Sequence, residues 1–274
     1  MLTIILCAAV AAAGTPWGAE AAGSWRGGDD LPAREEINQT YELAPGARVE
    51  VSSISGPVVV ETSDTRTAEV HIVRSAETEA ELACYRTIVE HSASSLVIRN
   101  EQDRTRGCRN IRAHQRVLLR LPRAVSLRAN SISGNVTVGG VEGGVRLSSI
   151  SGNVRIAEVD GTLELNSISG GVEVAQSAGY SNISSVSGSV NLAVARLGER
   201  GIDINSISGR VELHLAGDLN ADVSVDSISG SVHSDVPNVT VSKVGSSSFR
   251  ARVGAGGAPI SISSVSGSVR LSRE

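Results

Sequence analysis

The sequence predicts an all-β chain, most of it a single-domain parallel β-solenoid with rungs of about 18–21 residues. Three observations carry that prediction. A tetrapeptide, Ser-Ile-Ser-Gly or its Val form, begins at Ser53, Ser131, Ser149, Ser167, Ser185, Ser206, Ser227 and Ser264. Aliphatic residues stand at fixed offsets from every copy. Aromatic residues are only 2% of the chain, which suits narrow stacked strands of Val, Ile and Leu better than a bulky globular core.

In chain order, Leu2–Ala13 is an apolar run too short to cross a bilayer, which takes ~20 residues. Ala19-Glu20-Ala21 follows as a small-x-small cleavage site, so residues 1–21 read as a signal peptide, although no Lys or Arg precedes the run. The alternative is an apolar tail without an export role. Residues 22–36 are polar and read as a flexible linker. Residues 37–130 read as a β-rich N-terminal part that holds the first repeat. Its expected strands are Ile37–Leu43, Arg48–Ser53, Pro57–Glu61, Glu69–Arg74, Thr87–His91, Ser95–Asn100 and Arg116–Leu121. One short helix is expected over Glu77–Tyr85, where helix formers gather without Gly or Pro. Cleavage would leave Cys84 and Cys108, an even pair that in an exported chain points to a disulfide, the alternative being two free thiols. Arg104, Arg106, Arg109 and Arg112 beside Cys108 read as a solvated run diluted by Glu101 and Asp103. The net charge of −4 gives no basic surplus for nucleic acid, and no later run is long enough for a membrane anchor.

Residues 131–274 read as the repeat solenoid. Five positions after the first Ser, every copy has Val, as at Val136, Val154 and Val172. Two and four positions before it stand aliphatics such as Leu147 and Val145. Residues two apart share one face of a strand, yet the sets before and after the tetrapeptide differ in parity. The chain therefore turns a corner there. The Ile or Val of the tetrapeptide reads as core. The corner is assigned to Ser131, Gly134, Ser149, Gly152, Ser167, Gly170, Ser185, Gly188, Ser206, Gly209, Ser227, Gly230, Ser264 and Gly267, with the first serines expected to form a hydroxyl ladder and the second serines facing out. A second turn is expected at Gly139-Gly140, Asp160-Gly161 and Ala178-Gly179, with the longer rungs bulging at Leu197–Gly201. Ser242–Gly245 reads as an eroded copy.

One rung cannot stand alone. Six inward aliphatics contribute ~9–18 kcal/mol, against roughly 18–36 kcal/mol to order its backbone. Stacking shares that burial between neighbours. A right-handed coil is favoured because strand crossovers prefer that hand. A left-handed coil also uses about 18 residues per turn, but its six-residue periodicity is weak here.

No residue set converges on catalysis, a cofactor or a metal. The five histidines are scattered, and no G-x-S-x-G elbow occurs. Arg155 over Glu173 reads as a cross-rung ion pair rather than a dyad. The broadest candidate binding face lies four positions after the first Ser, at Asn135, Asn153, Ser189, Arg210 and Ser231.

The early segment RVEVSSISGPVVVE, the middle segment RVLLRLPRAVSLRANSISGNVTV and the S-x-S-G-x-V rungs resemble the bacterial putative-adhesin family of β-strand-repeat proteins. The likeness spans Ile37–Glu274. It implies a β-solenoid in the envelope or outside the cell and supplies no catalytic residue. The expected function is an exported, non-enzymatic, adhesin-like envelope module that binds an envelope component, glycan or protein. The alternatives are an assembly protein that adds subunits at the terminal rung, Ser264–Glu274, or a glycan hydrolase or lyase.

Overall fold

Strands appear where the sequence alternates. The computed structural model describes residues 31–103, 108, 113–236, 239–244 and 248–273. The expected signal peptide, linker residues 22–30 and the four arginines around Cys108 lie outside the described residues.

The N-terminal part contains β1 (Ala33–Glu42), β2 (Ala47–Ser55), β3 (Val58–Ser63), β4 (Thr67–Ala76), helix α1 (Glu79–Cys84), β5 (Tyr85–Ser92), β6 (Ser95–Gln102) and β7 (Ala113–Pro122). The expected linker reached Glu36, but β1 starts at Ala33 and pairs antiparallel with β4 from Ala33↔Ala76 to Glu42↔Thr67. Backbone pairing along β4 orders the polar Arg34–Glu36, which sequence polarity alone marks as linker. Thr78 caps α1 by accepting a hydrogen bond from the Glu81 amide. Arg74, largely buried, reaches the Leu82 carbonyl at 2.7 Å and the Glu35 carboxylate at 2.5 Å, tying the helix to β4 and β1. Burial pulls the Arg74 pKa below its usual value, with Glu35 opposing the shift. A disulfide joins Cys84 at the helix end to Cys108.

The repeat part contains β8 (Val125–Ser133), β9 (Val136–Val141), β10 (Val145–Ser151), β11 (Val154–Ser169), β12 (Val172–Ser187), β13 (Val190–Leu215), β14 (Ala221–Ser234), β15 (Val239–Val244), β16 (Ser248–Val253) and β17 (Ala258–Arg273). All 17 strands share one mixed sheet. Its middle is parallel and in register: Ser131, Ser149, Ser167 and Ser185 pair in succession, each 18 residues from the last. Val136, Val154, Val172 and Val190 do the same after the corner. Both columns are buried, as are Leu147, Leu165, Ile183 and Ile204. The longer rung opens where expected: Gly179 pairs with Leu197 and Ser181 with Ile202, leaving extra residues on β13.

At both ends the stacking order departs from the chain order. β2 lies between β6 and β8, and β3 lies between β7 and β9. The β6–β7 rung thus sits outside the first tetrapeptide although it follows it in sequence. At the other end β17 slots between β13 and β14, pairing Ser264 with both Ser206 and Ser227. The Ser264 rung is therefore interior and offers no free edge. Its aliphatics match both neighbours, so insertion extends the core on two sides. The eroded copy also gives way to a different structure. Ser242–Val244 lies in β15, which runs antiparallel to β16, and β16 in turn covers Ala221–Asp226 of β14. Over its first half β14 is thus followed by β16 and β15, and among the described residues its later half, Ser227–Ser234, pairs only with β17.

Candidate interaction surface

Each corner is set by a glycine. Gly170 has φ +117°, a conformation that disfavours a side chain, and a Cβ there would stand 2.3 Å from the Gly152 carbonyl oxygen. The same close approach recurs from one rung to the next, at Gly152 over Gly134 and Gly188 over Gly170. The second corner column is Gly143, Gly161 and Gly179. Gly139-Gly140, expected to turn, lies within β9 instead, because Gly140 pairs with Glu158 rather than with Gly161.

The parity change falls after the Ile, not before it. Alternation inherited from positions four and two before carries the first Ser inward, so Ser53, Ser131, Ser149, Ser167, Ser185, Ser206, Ser227 and Ser264 are buried. The next residue must then face out. Ile132, Ile150, Ile168, Val186, Ile207, Val265 and Ile228 are exposed, from 42% at Val186 to 77% at Ile228. This overturns the expectation that the Ile belongs to the core. The expected hydroxyl ladder does not form either. Rungs are ~4.8 Å apart, too far for one Ser hydroxyl to reach the next, and none of the eight Oγ atoms has a hydrogen-bond partner.

The seven exposed aliphatics and the half-buried Ile54 form a ridge. Pairing of the serines on both sides of each Ile places Ile54, Ile132, Ile150, Ile168, Val186, Ile207, Val265 and Ile228 side by side in that order. At ~4.8 Å per step the ridge is about 34 Å long. A shallow channel runs beside it, floored by the buried serines and walled on the far side by residues such as Asn166, Ser184, Asn205 and Asp226. It continues along the earlier rungs past Asn130, Ser148 and Asn100. Contiguous apolar surface of this extent marks an interaction site more often than a solvated face. The signal was available in the sequence: strict alternation from Val145 through Leu147 to Ser149 forces Ile150 outward. The greater hydrophobicity of Ile over Ser argued the other way, and backbone geometry prevailed.

The previously favoured face is built differently. The Asn135 carboxamide oxygen accepts from the Asn153 amide at 3.0 Å, and that of Asn153 accepts from the Gly171 amide at 2.8 Å. Both side chains bind the backbone of the next rung, which occupies their acceptors. Arg210 lies 3.7 Å from Glu212, and Ser189 and Ser231 are exposed. Arg155 and Glu173 form the expected cross-rung pair at 3.0 Å, and Arg146 and Glu164 form another at 2.7 Å. The Ser272 hydroxyl lies 2.7 Å from the His214 ring nitrogen, and His233 meets Asp235 at 2.8 Å. Among the described residues no cluster of three or more His, Cys, Asp or Glu could hold a metal ion, and no helix is long and apolar enough to cross a membrane.

Several solved structures match the chain at low identity. A putative adhesin from Bacteroides fragilis is 11% identical, with 89% of this chain and 99% of that one covered and a TM-score of 0.43. A putative cell adhesion protein from Clostridium sporogenes is 9% identical, with coverage of 88% and 100% and a TM-score of 0.39. A putative adhesin from Parabacteroides distasonis is 11% identical, with coverage of 86% and 97% and a TM-score of 0.39. No curated protein matches the chain. Residues 123–272, which run from the loop before β8 to the end of the β17 rung and make up more than half of the sequence, match Toastrack DUF4097, and the chain belongs to that family.

Proposed function

We propose that the chain is an exported, non-catalytic binding module of the cell envelope, displayed on a right-handed parallel solenoid, with the Ile/Val ridge and its channel as the contact surface. The ridge is the observation that carries this reading. Outward Ile and Val add strand propensity, which Thr would supply without an exposed apolar row, yet the sequence keeps Ile or Val at this position in every tetrapeptide. Burying a half-exposed Ile in a contact is worth roughly 1 kcal/mol, so a row of them supplies substantial affinity for an apolar partner surface. The Cys84–Cys108 disulfide supports an oxidising compartment, as does the apolar Leu2–Ala13 run.

The test is retention on native envelope fractions and a glycan panel, wild type against Ile150→Lys/Ile168→Lys. Retention of the wild type with loss in the variant is the expected result. Equal retention of both would remove the ridge from the reading.

A second reading, subunit assembly, is favoured by one observation: Ser227–Ser234 of β14 is paired on one side only among the described residues, and an open edge can accept another strand. Its site is β14 rather than the expected Ser264 rung.

A further inference from the structure

We infer that the occupant of the ridge is a second copy of this chain, docked about a two-fold axis that runs parallel to the stack of rungs. The inference rests on the ridge being the contact surface. Its geometry comes from the arrangement of columns. Across the face, in order, lie the Asn/Ser column one position before the first Ser, the channel, the Ile/Val ridge, and the column of second serines such as Ser151, Ser169 and Ser187. Ridge and channel run side by side and parallel. Rotation by 180° about a line between them exchanges one for the other. The ridge of each copy then enters the channel of its partner, with equivalent rungs at equal height.

The chemistry of the margins fits the same operation. It lays the Asn/Ser column of one copy over the second-serine column of the other. Exposed Asn166 and Asn205 carry a carboxamide, and exposed Ser169 and Ser208 carry a hydroxyl. These pair as donors and acceptors on both margins of an apolar centre, which is the anatomy of a specific interface. A lipid chain would cover the ridge but leave both polar columns without protein partners.

Size agrees as well. Seven side chains near half exposure present on the order of 600 Å² of ridge, and the flanking columns bring each copy to the ~800 Å² of a standard interface. A two-fold contact of this kind is self-complementary and closes at two copies, so it does not propagate into fibres. The margins are free of strong like charge; Asp226 at the β14 end is the one acidic side chain in that column among Asn130, Asn166 and Asn205.

The experiment is sedimentation equilibrium of the exported chain over a wide concentration range, for wild type, Ile168→Lys/Ile207→Lys, and the milder Ile168→Thr/Ile207→Thr. All three should melt within a few degrees of one another, because both positions face outward. The expected result is a wild-type dimer, weakened at least about 30-fold by the Lys pair and less by the Thr pair. A dimer untouched by either variant overturns the inference, and loss instead on substituting Pro for Ser231 in the open half of β14 would place the contact at that edge. A wild type that stays monomeric at high concentration also overturns it. If such a monomer still binds envelope fractions through Ile150 and Ile168, the ridge stands as a contact surface and only its partner changes. If it binds nothing, the ridge reading falls too.

Discussion

Leu165 and Ile168 are three residues apart on β11, similar in volume, and stacked on like residues in neighbouring rungs. One is sealed in the core and the other is half exposed. The first belongs to a column that every rung shares with the opposite strand across the interior. The second belongs to a column that faces outward. The comparison teaches that hydrophobicity alone does not assign a side in a repeat of this kind. Alternation does, and it outranks residue preference strongly enough to bury eight serines and expose the Ile or Val beside seven of them.

Several changes would break or sharpen this contrast. The largest effect is expected at the corner that separates inward from outward. Gly170→Val combines a disfavoured backbone with a Cβ 2.3 Å from the Gly152 oxygen, so denaturant melts should show a loss of more than about 3 kcal/mol or no folded protein. Next come the two compared columns. Leu165→Ala should cost about 2–5 kcal/mol, whereas Ile168→Ala should cost under about 1 kcal/mol in the monomer. Similar losses at both positions would erase the distinction. Ser167→Ala removes a buried hydroxyl that has no partner. It should leave stability unchanged or raise it by up to about 1 kcal/mol, while Ser169→Ala on the outer face should be silent.

The smallest effect concerns the β14 end. A hydrogen bond from Arg252, then one from the Gly257 amide, holds the Asp222 carboxyl below the usual Asp range. Arg270, assisted by His233, does the same for Asp235. Because the folded values are depressed, this contribution is fully present above the unfolded Asp pKa of about 3.9 and is lost as pH falls through the folded values. Hydrogen exchange should therefore show β16 and the end of β14 loosening below about pH 4 before the middle rungs do. Uniform loosening would argue that these pairs do not hold the end.

Much of the molecule was legible in the sequence, and particular residues show where legibility stopped. Val154, Val172 and Val190 announce a column because parallel stacking repeats one environment every 18 residues. Cys84 and Cys108 announce their bond because they are the even pair that remains once residues 1–21 are read as a signal peptide. The order of rungs was not legible. Ser264 pairs equally well with Ser206 and Ser227, since every tetrapeptide offers the same neighbour. Local pattern cannot say that β17 inserts between β13 and β14, or that β2 lies inside β6. These long-range choices follow from which end strands remain to be covered. The exposed ridge is half legible: the tetrapeptide is the most regular feature of the chain, but the greater hydrophobicity of Ile over Ser points to the wrong side. At the Asn135 and Asn153 face the sequence shows an outward polar column but not that the two carboxamides bind the next rung's backbone.

The inward Ser and outward Ile are tested most directly by thiol labelling of two single variants, Ser167→Cys and Ile168→Cys, with the native disulfide intact and the chain dilute enough to be monomeric. The expected result is rapid maleimide reaction at position 168 and protection at position 167 until the chain is unfolded. Rapid reaction at 167 with protection at 168 would contradict the assignment and remove the ridge.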